Sequence, residues 1–557
     1  MQATDGVSAE SFDARDGLWL AAFLVLFLGS RGLWIVTHPE TASYWEEAYR
    51  WMAASDWLGA ADPTLSSLQA DHYQGGSLVM IALAKPALAF GDSLLLLKAP
   101  ALLFSSATLI LLYTLGRRFF GAGAARIAAA AYLAGPPLVA YLGVLSMGSH
   151  GESVAFSLAA LWVFLRLLEG DPRSRSWLAF GLVNGLGIWF CPTVALTTLA
   201  CVGTWGLLRP PPRTAEWAAA AGGLVLGLSP WLAYNLAHDF AGLRRPLEVF
   251  GLRPLADPWL SPGVVEKATG LFRDALPAGW LDPASDLTPS LLRAFVLLGF
   301  SIPAVAALAA SLRRVQRALG GWGQPARDSG QAAARLELVF LVFGSVLLTT
   351  YLLSSYVIER GDTWSFRLFA PLGVIVLIPL SISFARGLRD PARRGWVAAG
   401  CGLWLLALGT ATVAFATRTP ELVSELTPRA GDPLYGVLLH RKHGPELAAS
   451  LAAIRSIPDP QRREAALTGL GLGIARAYEV SGSLDELDAR LAGVPPAERS
   501  VLHWGLLWAA SNTVDALDRR ASRIQIDESL VRRMRRLEEL AAFARAASLR
   551  EPKAGLP

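Results

Sequence analysis

The stretch LLLLKAPALLFSSATLILLYTLGRRFFG, residues 94–121, decides the fold. Residues 94–115 are apolar apart from Lys98 and a few hydroxyl side chains, and a helix that spans a bilayer needs about 20 mostly apolar residues. Arg117 and Arg118 follow this run directly. Because loops rich in Lys and Arg stay on the cytoplasmic side, the stretch predicts a transmembrane helix whose C-terminal end faces the cytoplasm.

The whole composition agrees with a membrane protein. The chain has 557 residues, of which 53% are hydrophobic and 17% charged, and its mean hydropathy is +0.40. Charged residues make up about a quarter of a soluble globular chain, so a cytosolic enzyme and a disordered scaffold are both excluded. The 3 cysteines lie in apolar runs without a CxxC spacing, which excludes a disulfide framework or a zinc ribbon. The basic residues are spread over short loops and do not form one patch, so we expect no nucleic-acid partner. They instead indicate which loops lie in the cytoplasm.

Further apolar runs predict a polytopic, all-α bundle of eleven crossings. The apolar stretch at 177–208 is interrupted by Cys191-Pro192, and arginines flank both of its ends. Both ends are therefore expected in the cytoplasm, with the stretch folded as a hairpin of two short crossings. The predicted crossings lie at 17–37, 94–115, 122–143, 153–169, 177–208 (two), 216–237, 291–311, 337–358, 367–385 and 396–417.

Sidedness divides the chain into three parts. Residues 1–16 are predicted to be a cytoplasmic tail, and residues 17–417 a transmembrane domain with outer loops at 38–93 and 238–290. The short apolar segment 75–90 is expected to lie along the outer surface as an interfacial helix. Residues 418–557 are rich in balanced charge and have helical periodicity, which predicts a soluble helical domain outside the cytoplasm.

Polar residues gather in the first outer loop. Glu46 and Glu47 lie on a short amphipathic segment flanked by aromatic residues, and either carboxylate could act as a general base. The alternative is that both acids only solvate an interfacial helix. His72, in the same loop, is a candidate to bind an acceptor or a metal ion.

The second outer loop reads SMGSHGE, residues 146–152. Its glycines would let the backbone approach a ligand closely, and His150 with Glu152 could bind an acceptor or a divalent metal ion. The alternative for Glu152 is that it caps the following helix through the helix dipole. The two roles are compatible.

Few basic residues lie on the predicted outer side. Lys85, Arg360 and Arg367 are placed where they could hold the phosphate of a lipid in the outer leaflet. For Arg367 the alternative is snorkelling to lipid headgroups. Arg31, close to the outer end of the first crossing, could serve the same purpose.

Residues 17–417 resemble the GT-C superfamily of integral-membrane glycosyltransferases, especially protein O-mannosyltransferases and the aminoarabinose transferases that act on lipid A. The resemblance rests on EEAY at 46–49, on the interfacial segment, and above all on GRRFFG at 116–121. One departure is that Glu46 stands where the family usually has aspartate.

The resemblance implies an inverting transfer of a sugar from a polyprenyl-phosphate-type donor. It implies Glu46 as the base, with Glu47 as second choice, and Lys85 and Arg367 as ligands of the carrier phosphate. His150 and Glu152 would orient an unidentified acceptor or bind a divalent ion.

Two other classes are compatible with this pattern. A transporter of lipid-linked saccharides would usually place its ionisable groups near the bilayer midplane and contain internal repeats, whereas here the acids gather at one face. A non-catalytic assembly protein of the same fold is the other alternative. High Ala, Arg and Gly usage favours a bacterial inner membrane as the location.

Overall fold

The protein is described from a computed structural model, which forms two compact units. Among the described residues, the membrane unit contains those up to Thr417 and the C-terminal unit those from residue 436 onward. The residues that the structure describes are 12–38, 74–88, 94–170, 173–209, 211–237, 240, 243, 263–271, 290–319, 329–353, 364–417, 436, 440, 447–457, 460–481, 483–521 and 528–550.

All regular elements in these described ranges are helices, which confirms the predicted all-α class. The membrane unit contains α1 (Ala14–Thr37), α2 (Gly76–Leu88), α3 (Leu94–Phe120), α4 (Ala122–Ala134), α5 (Pro137–Leu142), α6 (His150–Glu169), α7 (Ser174–Phe190), α8 (Val194–Leu208), α9 (Thr214–Ala237), α10 (Gly263–Thr269), α11 (Ser290–Leu319), α12 (Ser329–Leu353), a 3₁₀ helix (Trp364–Phe369), α13 (Ala370–Ile375), α14 (Leu377–Arg389) and α15 (Arg394–Ala416). The C-terminal unit contains α16 (Leu447–Arg455), α17 (Pro460–Ser481), α18 (Leu484–Ala492), α19 (Pro496–Ala521) and α20 (Glu528–Arg550).

Many helices of the membrane unit have the length and composition of membrane-spanning helices. Within the described ranges, 8 helical segments are long and apolar enough to cross a bilayer. Shorter apolar helices, among them α4 and α8, account for further predicted crossings. The polytopic bundle is therefore confirmed, and the number eleven stays a prediction.

The predicted crossing at 122–143 is wrong as a single helix. It is broken into α4 and α5 at Gly135, whose φ of 58° lies in the left-handed region, and at Pro136, which has no N–H to continue the helix. Arg31 Nη2 donates to the carbonyl of Leu133 at 3.1 Å, and Thr412 Oγ1 donates to that of Gly135 at 2.5 Å. These side chains satisfy carbonyls that the break leaves without helical partners.

The predicted hairpin at 177–208 is present as α7 and α8. The first helix ends at Phe190, and the second begins at Val194 after the turn that contains Pro192. Thr198 Oγ1 donates to Asn184 Oδ1 at 2.6 Å and joins the two helices. The first helix has 17 residues, which is the lower limit for a crossing, and the second has 15, which is slightly below it.

Ion pairs join several helices at one end of the bundle. Arg117 Nε lies 2.6 Å from Asp16 Oδ2, which links α3 to the start of α1, and both side chains are buried. Arg118 pairs with Glu169 at the end of α6. Arg314 pairs with the buried Glu337 at 2.6 Å and joins α11 to α12. We call this the ion-pair end, defined by Asp16, Arg117, Arg118, Glu169, Arg314 and Glu337.

The opposite end brings together the C-terminal halves of the first and last membrane helices. The ring of Trp34 lies 6.1 Å from that of Phe415 and 6.3 Å from that of Tyr141. Residue 16 and residue 415 therefore lie at opposite ends of the membrane unit. The predicted alternation of the loops across the membrane stays a prediction.

The C-terminal unit is a stack of helices with its own core. Buried leucines of α17, α19 and α20 form that core, with Leu470, Leu502 and Leu540 at its centre. Gly471 of α17 and Gly505 of α19 face each other, since a Cβ on Gly471 would lie 3.0 Å from the Cα of Gly505. The helices α17 and α19 thus approach each other closely at these two glycines.

Candidate functional site

A close backbone contact fixes the start of α2 to the second predicted outer loop. A Cβ on Gly76 would lie 2.0 Å from the carbonyl oxygen of Gly148, so neither position has room for a side chain. Gly148 has a φ of 64°, which glycine adopts without strain. The N–H of Gly75 donates to the carbonyl of Trp189 at 2.7 Å. The start of α2 is therefore held against the loop and the end of α7.

Glu152 organises this loop from the first turn of α6. Its Oε1 accepts the N–H groups of Met147 at 2.7 Å and Gly148 at 2.9 Å, and its Oε2 accepts that of Ser149 at 3.1 Å. A carboxylate offers about four acceptor positions, so three are already occupied. Glu152 therefore caps the start of α6, as the alternative interpretation predicted. Its binding of an acceptor or a metal ion stays a prediction.

His150 begins α6 beside the turn between α7 and α8. Its Nδ1 lies 3.7 Å from Cys191 Sγ, which in turn lies 3.2 Å from Thr193 Oγ1. The imidazole is half-buried, whereas the cysteine is fully buried. These contacts orient one ring nitrogen towards the protein and leave Nε2 on the other edge of the ring.

Arg367 approaches the same place from a distant part of the chain. It lies on the 3₁₀ helix Trp364–Phe369, which packs against α5 and α6, and its side chain is half-buried. Its positive charge is within electrostatic range of His150. The structure thus brings together two of the predicted site residues that are 217 positions apart in the sequence.

Together these residues form a second polar region, which we call the glycine-turn end, defined by Gly76, Gly148, His150, Glu152, Cys191 and Arg367. It lies at the same end of the membrane unit as the C-terminal half of α1, because the 3₁₀ helix that carries Arg367 packs on α5 and Tyr141 of α5 lies beside Trp34.

Lys267 is a basic residue near this end that the sequence analysis did not select. Its Nζ lies 3.4 Å from the carbonyl oxygens of Tyr351 and Leu352 and 5.7 Å from the centroid of the Tyr351 ring. That ring packs edge-on against Phe369, two residues after Arg367. Lys267 therefore fixes part of the predicted outer loop 238–290 to the end of α12. The sequence shows a lysine in a short segment of the predicted outer loop, which is a weak signal for a functional residue. It does not show that the lysine contacts residues 351 and 352.

Several predicted site residues lie outside the described residues. These are Glu46, Glu47 and His72 of the first outer loop and Arg360 before the 3₁₀ helix. Lys85 lies on α2, but its side chain is outside what the structure describes. Their roles stay predictions.

Arg31 has a structural role within the bundle. Besides its bond to Leu133, its guanidinium lies 5.4 Å from the centroid of the Phe27 ring and 5.9 Å from that of Trp34. These contacts within the protein explain why an arginine can lie in an apolar helix, and no bound lipid phosphate is needed to explain it.

The described residues do not fit a metal centre by themselves. No group of three or more His, Cys, Asp or Glu side chains suited to holding an ion is found among them. Glu152 has most of its acceptor positions filled by amides, and His150 faces a thiol with one nitrogen. The predicted divalent ion therefore stays a prediction, and no chemical step is derived from it below.

Comparison with known proteins gives one family match. The model of the family described as dolichyl-phosphate-mannose-protein mannosyltransferase matches residues 80–234, a range that includes the second outer loop and the α7–α8 hairpin. This match confirms the predicted resemblance to GT-C membrane glycosyltransferases. None of the curated proteins matches the sequence.

One solved structure that resembles the chain is the apo crystal structure of the Archaeoglobus fulgidus oligosaccharyltransferase. The TM-score is 0.44 and the sequence identity 11%, and the similarity covers 72% of this chain and 56% of the other. The chain thus spans little more than half the length of that oligosaccharyltransferase.

Proposed function

We propose that this GT-C-type chain is an inverting glycosyltransferase that moves a sugar from a polyprenyl-phosphate-type donor to an acceptor at the outer face of the membrane. The observation that carries the proposal is the packing of the 3₁₀ helix that contains Arg367 against α6, the helix that begins at His150, at the end of the membrane unit where α2 contacts Gly148.

The location suits a substrate that is part lipid and part sugar. An isoprenoid tail stays in the hydrocarbon of the bilayer, while a water-soluble acceptor approaches from outside, so their reaction requires a site at the membrane face. A helix lying along that face, such as α2, can separate the two phases. The backbone contact at Gly76 fixes this helix relative to the reacting residues.

Arg367 is the cation that we assign to the departing phosphate. Breaking the sugar–phosphate bond increases negative charge on the phosphate oxygens, and a guanidinium can donate two parallel hydrogen bonds to them. Because Arg367 is half-buried, its charge is screened less by water than that of an exposed arginine. Lys85 is proposed as a second phosphate ligand.

Glu46 is the proposed general base, with Glu47 as second choice. The base removes the proton of the acceptor hydroxyl while the oxygen attacks the anomeric carbon from the face opposite the phosphate, which inverts that carbon. His150 is proposed to orient the acceptor through Nε2. Glu152 contributes by shaping the loop that carries His150.

The experiment measures sugar transfer by the purified full-length protein in lipid nanodiscs, with polyprenyl-phosphate-linked hexoses as donors. Glu46→Gln is expected to lower turnover by at least about 100-fold while binding of the carrier phosphate is retained, because general-base catalysis contributes on that order. Glu47→Gln is the matched control and should retain turnover.

Other results for the two glutamate variants would change the assignment of the general base. Unchanged turnover in Glu46→Gln removes that residue from the mechanism, and loss in Glu47→Gln alone transfers the role to its neighbour. Carrier binding without any transfer, across donors and acceptors, would favour the non-catalytic assembly protein.

A bacterial inner-membrane location with the C-terminus outside the cytoplasm is part of the proposal. The proposal is supported by the positions of residues 16 and 415, which lie at opposite ends of the membrane unit. A reporter fused after Arg418 should be active only outside the cytoplasm. Cytoplasmic activity would overturn the orientation.

A further inference from the structure

A cleft of about 230 Å³ opens in the membrane unit among α6, α7, α8 and α9. Its walls are mainly aromatic, with a single charged residue, and include Phe164, Trp177, Phe180, Trp205, Trp217 and Arg209.

The cleft has a closed floor and an open mouth. Phe164, Trp177 and Phe180 are buried at its floor, whereas Trp217 is 46% and Val202 43% exposed. Trp177 and Trp205 meet edge to face with their centroids 4.8 Å apart. Tryptophans at helix ends are typical of the headgroup layer, so the mouth faces the boundary between lipid tails and headgroups.

Positive charge lies beside this apolar surface. Arg209 donates through Nη2 to the carbonyl of Leu168, and the guanidinium of Arg335 on α12 is close enough to act on it electrostatically. A guanidinium has five N–H donors, so further donors of Arg209 can meet an anion. A guanidinium in the lining of an apolar cleft favours a ligand with an acidic head and a hydrocarbon body.

We propose that this cleft binds an anionic glycerophospholipid, with an acyl chain between the aromatic rings and the phosphate on Arg209. The bond to Leu168 places the cleft next to Glu169, at the ion-pair end. It is therefore separate from the glycine-turn end, where the sugar carrier is proposed to react. The lipid site does not depend on the transfer reaction.

The test is native mass spectrometry of the delipidated full-length protein in detergent, with phosphatidylglycerol added back at increasing ratios. One tightly retained phosphatidylglycerol is expected, in preference to phosphatidylethanolamine. Arg209→Gln should weaken retention about fivefold, which is the effect of one arginine on an anionic lipid. Trp217→Ala, at the exposed mouth, should weaken it without disturbing the fold.

The matched control is Arg394→Gln, an exposed arginine at the start of α15, which should leave retention unchanged. Equal retention of phosphatidylglycerol and phosphatidylethanolamine would overturn the proposal. So would unchanged retention in both Arg209→Gln and Trp217→Ala, an equal loss in the control, or preferential retention of polyprenyl phosphate over phosphatidylglycerol.

Discussion

The two ends of the membrane unit hold their charges in different ways. At the ion-pair end the carboxylates of Asp16 and Glu337 are paired with arginines of other helices. At the glycine-turn end the carboxylate of Glu152 accepts hydrogen bonds from the backbone N–H groups of residues 147–149. Backbone groups satisfy hydrogen bonds without cancelling a formal charge.

Because of this difference, we expect the ion-pair end to contribute mainly to stability and the glycine-turn end to contribute to function as well. A pair of opposite charges neutralises itself and ties helices together, so it has little left to offer a ligand. A charge held by backbone dipoles still acts on its surroundings. Substitutions at the ion-pair end should therefore change mainly the free energy of unfolding, and substitutions at the glycine-turn end should change turnover as well.

The largest effect on stability is expected from Arg117→Gln. This change leaves the buried carboxylate of Asp16 without its partner, and breaking a buried pair in this way costs about 3–5 kcal/mol. Unfolding of the detergent-solubilised protein measures the loss, and turnover per folded molecule should be unchanged. The control is Arg118→Gln, whose pair with Glu169 is partly exposed and should cost less than about 1 kcal/mol. Equal losses in the two variants would contradict the role assigned to the buried pair.

A smaller loss, about 2–3 kcal/mol, is expected from Glu152→Gln. The neutral amide has one acceptor oxygen and cannot accept all three N–H groups of residues 147–149, and each buried donor left unsatisfied is costly. Hydrogen exchange should show faster exchange of those three amides. If their exchange is unchanged while turnover is lost, Glu152 acts on substrate and its structural role is secondary.

The smallest of these effects on stability, about 1–2 kcal/mol, is expected from Gly148→Ala. Its positive φ disfavours any side chain, and a Cβ there would lie 2.4 Å from the carbonyl carbon of Gly76. We expect α2 to shift away from the loop, with turnover reduced more than the unfolding temperature. Gly222→Ala on α9 is the control, because a Cβ at Gly222 meets nothing within 4 Å. Normal turnover in Gly148→Ala would show that the contact with α2 is not required.

Local sequence patterns predicted much of the fold. Apolar runs and arginine-rich loops predicted an all-α membrane bundle, and Cys191-Pro192 predicted the turn of the α7–α8 hairpin. The break at Gly135 was missed because the apolar run continues through it and only the pair Gly135-Pro136 marks the change of direction.

Less of the site could be predicted, because its contacts join distant parts of the chain. His150 and Arg367 were each selected from their own surroundings, and their meeting depends on the packing of the 3₁₀ helix on α6. Lys267 was missed for the same reason, since its partners at the end of α12 are 84 and 85 positions away. The role of Glu152 as a cap was predicted from its position in the first turn of a helix, which is local information.

The most direct test of the proposed site is the turnover of Arg367→Gln per folded molecule, compared with that of Arg393→Gln, an exposed arginine at the other end of the bundle. Removing a group that stabilises developing charge commonly lowers turnover by about 100- to 1,000-fold. We predict a loss of that size in Arg367→Gln with an unchanged unfolding temperature, and normal turnover in Arg393→Gln. Normal turnover in Arg367→Gln, or an equal loss in both variants, would contradict the assignment of the glycine-turn end as the site of sugar transfer.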